Sequence, residues 1–195
     1  MRDLSPTLIL ASGSPYRRAL LERLGLPFQV RPANADETIA AGEAPGAAAL
    51  RLARAKAAAI EPESPSLVIG SDQVAEIDGR ILGKPGGHEQ AARQLREQSG
   101  RLVLFHTALC LRDTRDGGER TALDTVRVRF RELTDAEIEA YLHHDRPYDC
   151  AGSFKSELLG SALCESIESD DPASLVGLPL IRLAAMLREA GVRVP

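Results

Sequence analysis

Apolar positions along this chain change their spacing repeatedly, and each change marks an element. Leu8, Ile9 and Leu10 form a short apolar run that stops at Ser12, Gly13, Ser14 and Pro15. This predicts a strand over 7–12 and a helix over 15–25, with Ser14 as N-cap and Pro15 first in the helix, where its missing N–H costs nothing. A short strand follows at 28–31, then a polar stretch over 34–38. Residues 46–60 are alanine-rich but keep helical spacing, and Pro62 and Pro65 end them. A buried strand starts at Leu67 and runs to Ile77, and Asp78-Gly79 makes a hairpin turn back through Ile81 and Leu82. A helix over 88–97 precedes strands at 102–111 and 121–131, joined by a turn at Gly117-Gly118. Thr134-Asp135-Ala136-Glu137 is a capping box for a helix ending near His143. A loop over 146–157, a strand over 158–167 and a helix over 180–190 complete the reading. Helices alternate with strands, but hairpins interrupt the alternation, which predicts an α/β fold with a mixed rather than purely parallel sheet. With no linker to divide it, the chain 1–195 is expected to form a single domain with two lobes around a central cleft.

Composition narrows the function. The chain has 195 residues, 44% of them hydrophobic and 27% charged, as in a soluble globular protein. A formal net charge of -4 offers no general attraction to nucleic acid or to anionic membranes, so any basic site is local. No apolar run reaches membrane-spanning length, and Met1-Arg2-Asp3-Leu4-Ser5-Pro6 lacks the apolar core of a signal peptide. Cys110, Cys150 and Cys164 are odd in number and outside any CxxC spacing, which suits a reducing compartment and a cytoplasmic location. The histidines show no zinc-site spacing, and His143-His144 reads as cationic charge at a helix C-terminus.

Several charged residues stand where ordinary folding does not ask for them. Arg17 and Arg18 fall in the first helical turn, the end a helix dipole already makes positive. They are either solvated or, with the free backbone N–H groups, hold an anion such as phosphate. Ala49, Leu52, Ala53, Lys56 and Ile60 share one helical stripe, so Lys56 lies on an apolar face. It either snorkels to water or reaches into a cleft. Asp72 follows a buried strand and needs a partner there. Lys84 is presented just after the hairpin, and Asp36-Glu37 is a carboxylate pair suited to Mg²⁺ or Mn²⁺. Singly these residues have structural explanations; together they match a metal-polyphosphate site.

The motifs Ser12-Gly13-Ser14-Pro15-Tyr16-Arg17-Arg18-x-x-Leu21, Arg51-Leu52-Ala53-Arg54-x-Lys56, Gly70-Ser71-Asp72, Gly83-Lys84-Pro85, Ala151-Gly152-Ser153 and Val176-Gly177-Leu178-Pro179 together resemble the Maf family of nucleoside triphosphate pyrophosphatases over nearly the whole chain. The resemblance implies an elongated mixed β-sheet with flanking helices and a central cleft, similar to inosine triphosphate pyrophosphatases. It implies cleavage between the α- and β-phosphates, a divalent cation, Mg or Mn, and a homodimer. It makes Asp72 the proton acceptor or a metal ligand, with both roles open. Ser12, Arg17, Glu37, Lys56 and Lys84 match phosphate- and metal-handling positions, Arg18 being adjacent to them.

Tyr16, Gln73 and Glu157 are closer to the branch that acts on 7-methyl-GTP than to the dTTP/UTP branch, which usually has Arg, Thr and Gln there. A physical reason supports this. Methylation at N7 makes guanine cationic, and an aromatic face attracts a cation by about 0.5–2 kcal/mol. A carboxylate at Glu157 can accept both guanine N1–H and N2–H, whereas it repels the acceptors of a pyrimidine edge. The competing readings are a dTTP/UTP pyrophosphatase, or a nucleotide-binding regulator of cell division without hydrolysis. The expected partner is a small nucleotide, not nucleic acid or membrane.

Overall fold

The computed structural model describes residues 6–194; Met1 to Ser5, on which most of the signal-peptide reading rested, lie outside the described residues. The strands are β1 (Thr7–Leu10), β2 (Gln29–Val30), β3 (Ser66–Ile77), β4 (Arg80–Leu82), β5 (Leu102–Asp113), β6 (Glu119–Phe130) and β7 (Cys164–Glu168). The helices are α1 (Pro15–Glu22), α2 (Pro45–Ala58), α3 (His88–Gln98), α4 (Asp135–Asp145) and α5 (Leu180–Glu189). The seven strands form one mixed sheet in the order β2-β1-β3-β5-β6-β7, with β4 also on β3. β1 runs parallel to both β2 and β3, and every other pairing is antiparallel.

The two edges of β3 are used differently, and the difference makes the cleft. One edge pairs with β5 from Leu67 to Glu76. The other pairs with β1 over Ser66 to Ile69 and with β4 over Ala75 to Ile77. Between Gly70 and Val74 that edge has no strand beside it among the described residues. Asp72 stands in the middle of the gap.

Period-two alternation along β3 and β5 divides the core in the same place. On one face, Leu67, Ile69, Leu109 and Leu111 pack with α1 and α5, while Ala75, Ile77, Val103 and Phe105 pack with α3 and α4. Ser71, Gln73 and Thr107 interrupt that face between the two apolar clusters and tie down residues 174–177. Gln73 Nε2 lies 3.0 Å from the carbonyls of Ser174 and Leu175, and Thr107 Oγ1 donates to Ser174 O at 2.8 Å. The opposite face is covered by α2 through Ala48, Ala49, Ala53 and Ala57. Small residues let α2 come close: a Cβ on Gly70 would lie 2.1 Å from Ala53 O.

Local signals account for most boundaries. The Ser14 side chain accepts from Arg17 N and Pro15 starts α1, while the Thr134–Glu137 capping box starts α4. Asp78 and Gly79 both have positive φ, as a type I′ hairpin turn requires. Helix α1 ends at Glu22, three residues early, because Arg23, Leu24 and Gly25 bond to carbonyls three residues back. The strand expected over 158–167 is corrected to Cys164–Glu168, preceded by a 3-10 turn at Leu159–Leu163. Gly160 folds back there: its N–H donates to Asp145 Oδ2, and a Cβ on it would meet Lys155 O at 2.2 Å.

Candidate active site

The gap in the sheet opens into a cleft of about 570 Å³, within the range of small-ligand sites. One wall is the turn from β1 into α1, with Ser12, Tyr16 and Arg17. The floor is Lys56 on α2 with Asp72 and Gln73 on β3, and the far wall carries Lys84, Phe154 and Glu157. Glu37 enters from the irregular segment before α2.

Lys56 is the centre of the charge arrangement. Its side chain is 8% exposed, so it does not snorkel to water. Its ammonium donates to Asp72 Oδ1 at 2.6 Å and meets Glu37 Oε1 at 2.8 Å. Partial burial pushes the Glu37 carboxyl up, but the bond to Lys56 and the charges of Lys56, Lys84 and Arg17 hold it below its ordinary range. One cation thus holds two carboxylates close together. Asp36 turns away and accepts from Thr38 N at 2.9 Å, so the adjacent pair divides: Glu37 serves the cleft and Asp36 shapes its loop.

Arg17 is aimed by the backbone. Its Nε donates to Gly177 O at 2.8 Å, while Nη1 lies 3.5 Å from Ser12 Oγ. Gly177 O also lies 2.9 Å from Ser71 Oγ, so the strap at 174–177 joins β3 to the arginine. Desolvation pulls the Arg17 guanidinium down, and Asp72 and Glu37 oppose it; the group stays charged. Ser12 Oγ accepts from Ser14 N at 3.2 Å, which leaves its proton free for a ligand. Lys84 is exposed and makes no hydrogen bond or ion pair among the described residues, so its ammonium is available to an anion.

Arg18 is not brought into the cleft. It points outward and pairs with Glu22 at 3.0 Å on an exposed face. Gln73 borders the cleft but spends its amide N–H groups on Thr107 and the 174–175 carbonyls. Tyr16 and Glu157 line the same cleft as the cations. Phe154 packs on Phe105 and Phe130 at centroid distances of 5.7 and 5.2 Å, and among the described residues no other aromatic ring packs on Tyr16. Cys150 also lines the cleft, but burial, with Asp149, pushes its thiol up to about 12, so it is no nucleophile at neutral pH.

The sequence reading gave no role to Ser71, Thr107, Ser174 or Gly177. The signal was present in the polar interruption of β3 and β5, whose partner lies about a hundred residues away.

One cleft brings together the cations Arg17, Lys56 and Lys84, the carboxylates Glu37 and Asp72, and Tyr16 with Glu157, a set of groups that suits a polyphosphate carrying a base. Among the described residues no group of three or more His, Cys, Asp or Glu could hold a metal ion alone. Glu37 and Asp72 offer hard oxygen donors, and Mg²⁺ or Mn²⁺ accepts such a partial set when substrate phosphates and water complete it.

A family model described as Maf-like protein matches residues 7–190. The chain belongs to the Maf family. Relatives of this Maf-family protein are similar over almost their whole length. A 7-methyl-GTP pyrophosphatase of Cupriavidus pinatubonensis is 57% identical over 95% of this chain and 94% of its own. One of Albidiferax ferrireducens is 54% identical over 96% and 94%, and one of Burkholderia orbicola 58% identical over 95% and 90%. No helix in the described part of this Maf protein is long and apolar enough to cross a membrane.

Proposed function

We propose that this chain, acting as one domain, hydrolyses 7-methyl-GTP to 7-methyl-GMP and pyrophosphate, removing a modified nucleotide from the cytoplasmic pool. The observation that carries the reading is one cleft holding both sets of groups: Lys56, Lys84, Arg17 and Ser12 for the phosphates, Tyr16 and Glu157 for a cationic purine. Relatives that carry this activity in their names support it.

The triphosphate lies along the cations, with Arg17 and Lys84 drawing charge off the pyrophosphate leaving group. Lys56 holds Asp72 Oδ1, which orients the carboxylate and leaves its second oxygen to take the proton of the water attacking the α-phosphorus. Glu37 would hold a Mg or Mn ion together with substrate phosphates and water, and Asp72 would join it in the alternative in which it is a ligand instead of the base; the ion would neutralise phosphate charge and acidify water. Glu157 accepts from the guanine edge and Tyr16 faces the methylated ring. A homodimer is the proposed assembly, on the family resemblance and the prevalence of two-fold assemblies.

The test is pyrophosphate release from 7-methyl-GTP, GTP, dTTP and UTP with Mg²⁺ or Mn²⁺, for wild type and Asp72→Asn. Preference for 7-methyl-GTP, with kcat in the variant lowered by about 10²–10⁴-fold, supports the reading. Preference for pyrimidines leaves the chemistry and removes the base assignment; no hydrolysis at all favours the regulator.

A further inference from the structure

Lys155 is buried, 9% exposed at its side chain, yet it is not among the residues lining the cleft. Its surroundings form a built seat. The ammonium donates to Asp145 O at 3.1 Å and Arg146 O at 3.4 Å. These are the last carbonyls of α4, turned free because Arg146 adopts a left-handed conformation at the C-cap. A helix C-terminus carries partial negative charge, so the seat suits a cation. Asp149 Oδ1 adds a carboxylate at 3.6 Å. The backbone is pinned as well: Lys155 N donates to the Tyr141 hydroxyl at 2.9 Å, and that hydroxyl donates to Ser153 O at 3.2 Å.

From this seat the ammonium reaches one further group. It lies over the face of the Tyr16 ring, 5.5 Å from its centroid. The two residues belong to segments on opposite sides of the cleft, with only Tyr16 lining it. Tyr16 sits in the first turn of α1, whose Leu20 and Leu21 pack in the cluster with α5. Lys155 follows Phe154, which is part of the cluster with α3 and α4. Among the described residues no other hydrogen bond, ion pair or ring contact sets the Tyr16 side chain. Burial pulls the Lys155 ammonium down, but the Tyr16 hydroxyl and the nearby acidic groups outweigh it and keep the charge in place.

We propose that Lys155 is a positioning residue for base recognition: seated on the end of α4, it holds the Tyr16 side chain across the cleft at the place where the base docks. The inference rests on the proposed activity toward 7-methyl-GTP and adds a residue that never touches the substrate. Its consequence is specific. Losing the ammonium frees the ring and weakens nucleotide binding at the base end, while Lys56, Asp72 and the phosphate-end cations keep their places.

A double-mutant cycle in the full-length protein tests it. Pyrophosphate release from 7-methyl-GTP and GTP is measured for wild type, Lys155→Met, Tyr16→Leu and the double variant. Tyr16→Leu removes the ring that the ammonium faces and leaves the Lys155 seat intact, so it probes the contact even if Lys155→Met folds poorly. The expected result is a KM for 7-methyl-GTP raised about tenfold in Lys155→Met with kcat within about twofold, the sign of lost binding rather than lost chemistry. Tyr16→Leu raises KM in the same direction, and the double variant is no worse than the poorer single, because without the ring Lys155 has nothing left to position. Effects that multiply in the double variant, an unchanged KM in Lys155→Met, or a loss falling on kcat for both nucleotides alike would each overturn the inference. A wild type that hydrolyses no nucleotide sinks the functional reading itself, and this inference with it; an active wild type with unchanged variants sinks the inference alone.

Discussion

At Lys56 one ammonium holds two carboxylates, Asp72 at 2.6 Å and Glu37 at 2.8 Å, in a position nearly closed to water. Breaking a buried pair leaves a charge with no partner, which typically costs about 3–5 kcal/mol. Glu37 is half exposed and water compensates it, so Asp72 bears most of that penalty. Lys56→Met is therefore expected to lower unfolding stability by about 3 kcal/mol in urea titration and to abolish turnover. Glu157 has a different character. It is exposed, lines the cleft, and makes no hydrogen bond or ion pair among the described residues, so its carboxylate is spare for a ligand. Glu157→Gln is expected to leave stability unchanged and to shrink the kcat/KM ratio of 7-methyl-GTP over UTP by about 10–100-fold, the worth of charged hydrogen bonds of about 1.5–3 kcal/mol. An unchanged ratio would remove Glu157 from base recognition. Lys56 was legible in the sequence because a lysine in an alanine stripe is anomalous. Lys155 was not, since nothing in Ser-Phe-Lys-Ser-Glu says that its ammonium ends on carbonyls about ten residues back.

At the scale of elements, helix starts were readable where a side chain next in sequence satisfies the first N–H groups, as in α1 and α4. In α4, Glu137 is bonded by the N–H and hydroxyl of Thr134 and by Arg131, and its carboxyl is held down at about 2, below its ordinary 4.5. A carboxyl with a depressed folded value stabilises above its unfolded value and loses that contribution as pH falls. The gap in urea midpoint between wild type and Glu137→Gln is thus expected to be full at pH 7 and to close as pH drops from 4.5 toward 2. Helix α5 starts differently. Pro179 supplies no side-chain cap, and Ile181 N donates instead to Asp171 Oδ2 at 2.6 Å, a partner ten residues upstream. The packing of α2 on β3 depends on a residue that carries no chemistry. At Gly70 a methyl group would press on the backbone of α2 at Ala53 and Ala57, and backbone cannot rotate aside. Gly70→Ala is expected to cost about 3 kcal/mol by chemical denaturation and to lower activity, since Lys56 rides on the displaced helix.

At the scale of the whole molecule, the cleft exists because β3 is longer than either strand on its outer edge. β1 covers its beginning, β4 covers its end, and the uncovered middle carries Ser71, Asp72 and Gln73. The apolar clusters on either side have no need to meet there, because Ser71, Gln73 and Thr107 satisfy the carbonyls of the strap at 174–177. A ligand lying in the cleft touches both lobes and binds only the folded state. A product such as 7-methyl-GMP at about a hundred times its Kd, with Mg²⁺, is therefore expected to stabilise by about 2.7 kcal/mol. For a chain of this size that is a rise in Tm of roughly 5–11 °C, measured by thermal unfolding. No shift with any nucleotide product would mean that the cleft is not the binding site.

The sequence by itself determined the order and kind of nearly every element, the mixed character of the sheet, and the anomalous charges Arg17, Lys56, Asp72 and Lys84. It could do so because caps, turns and alternating burial act between residues a few positions apart. Tertiary structure alone decided that Arg18 faces water, that Asp36 and Glu37 part company, and that Gln73 is occupied by the strap. It alone joined Lys155 to Tyr16 and Gly177 to Arg17, contacts that span 139 and 160 positions of chain. Such pairings depend on which surfaces the sheet and its helices bring face to face, and no local periodicity encodes that.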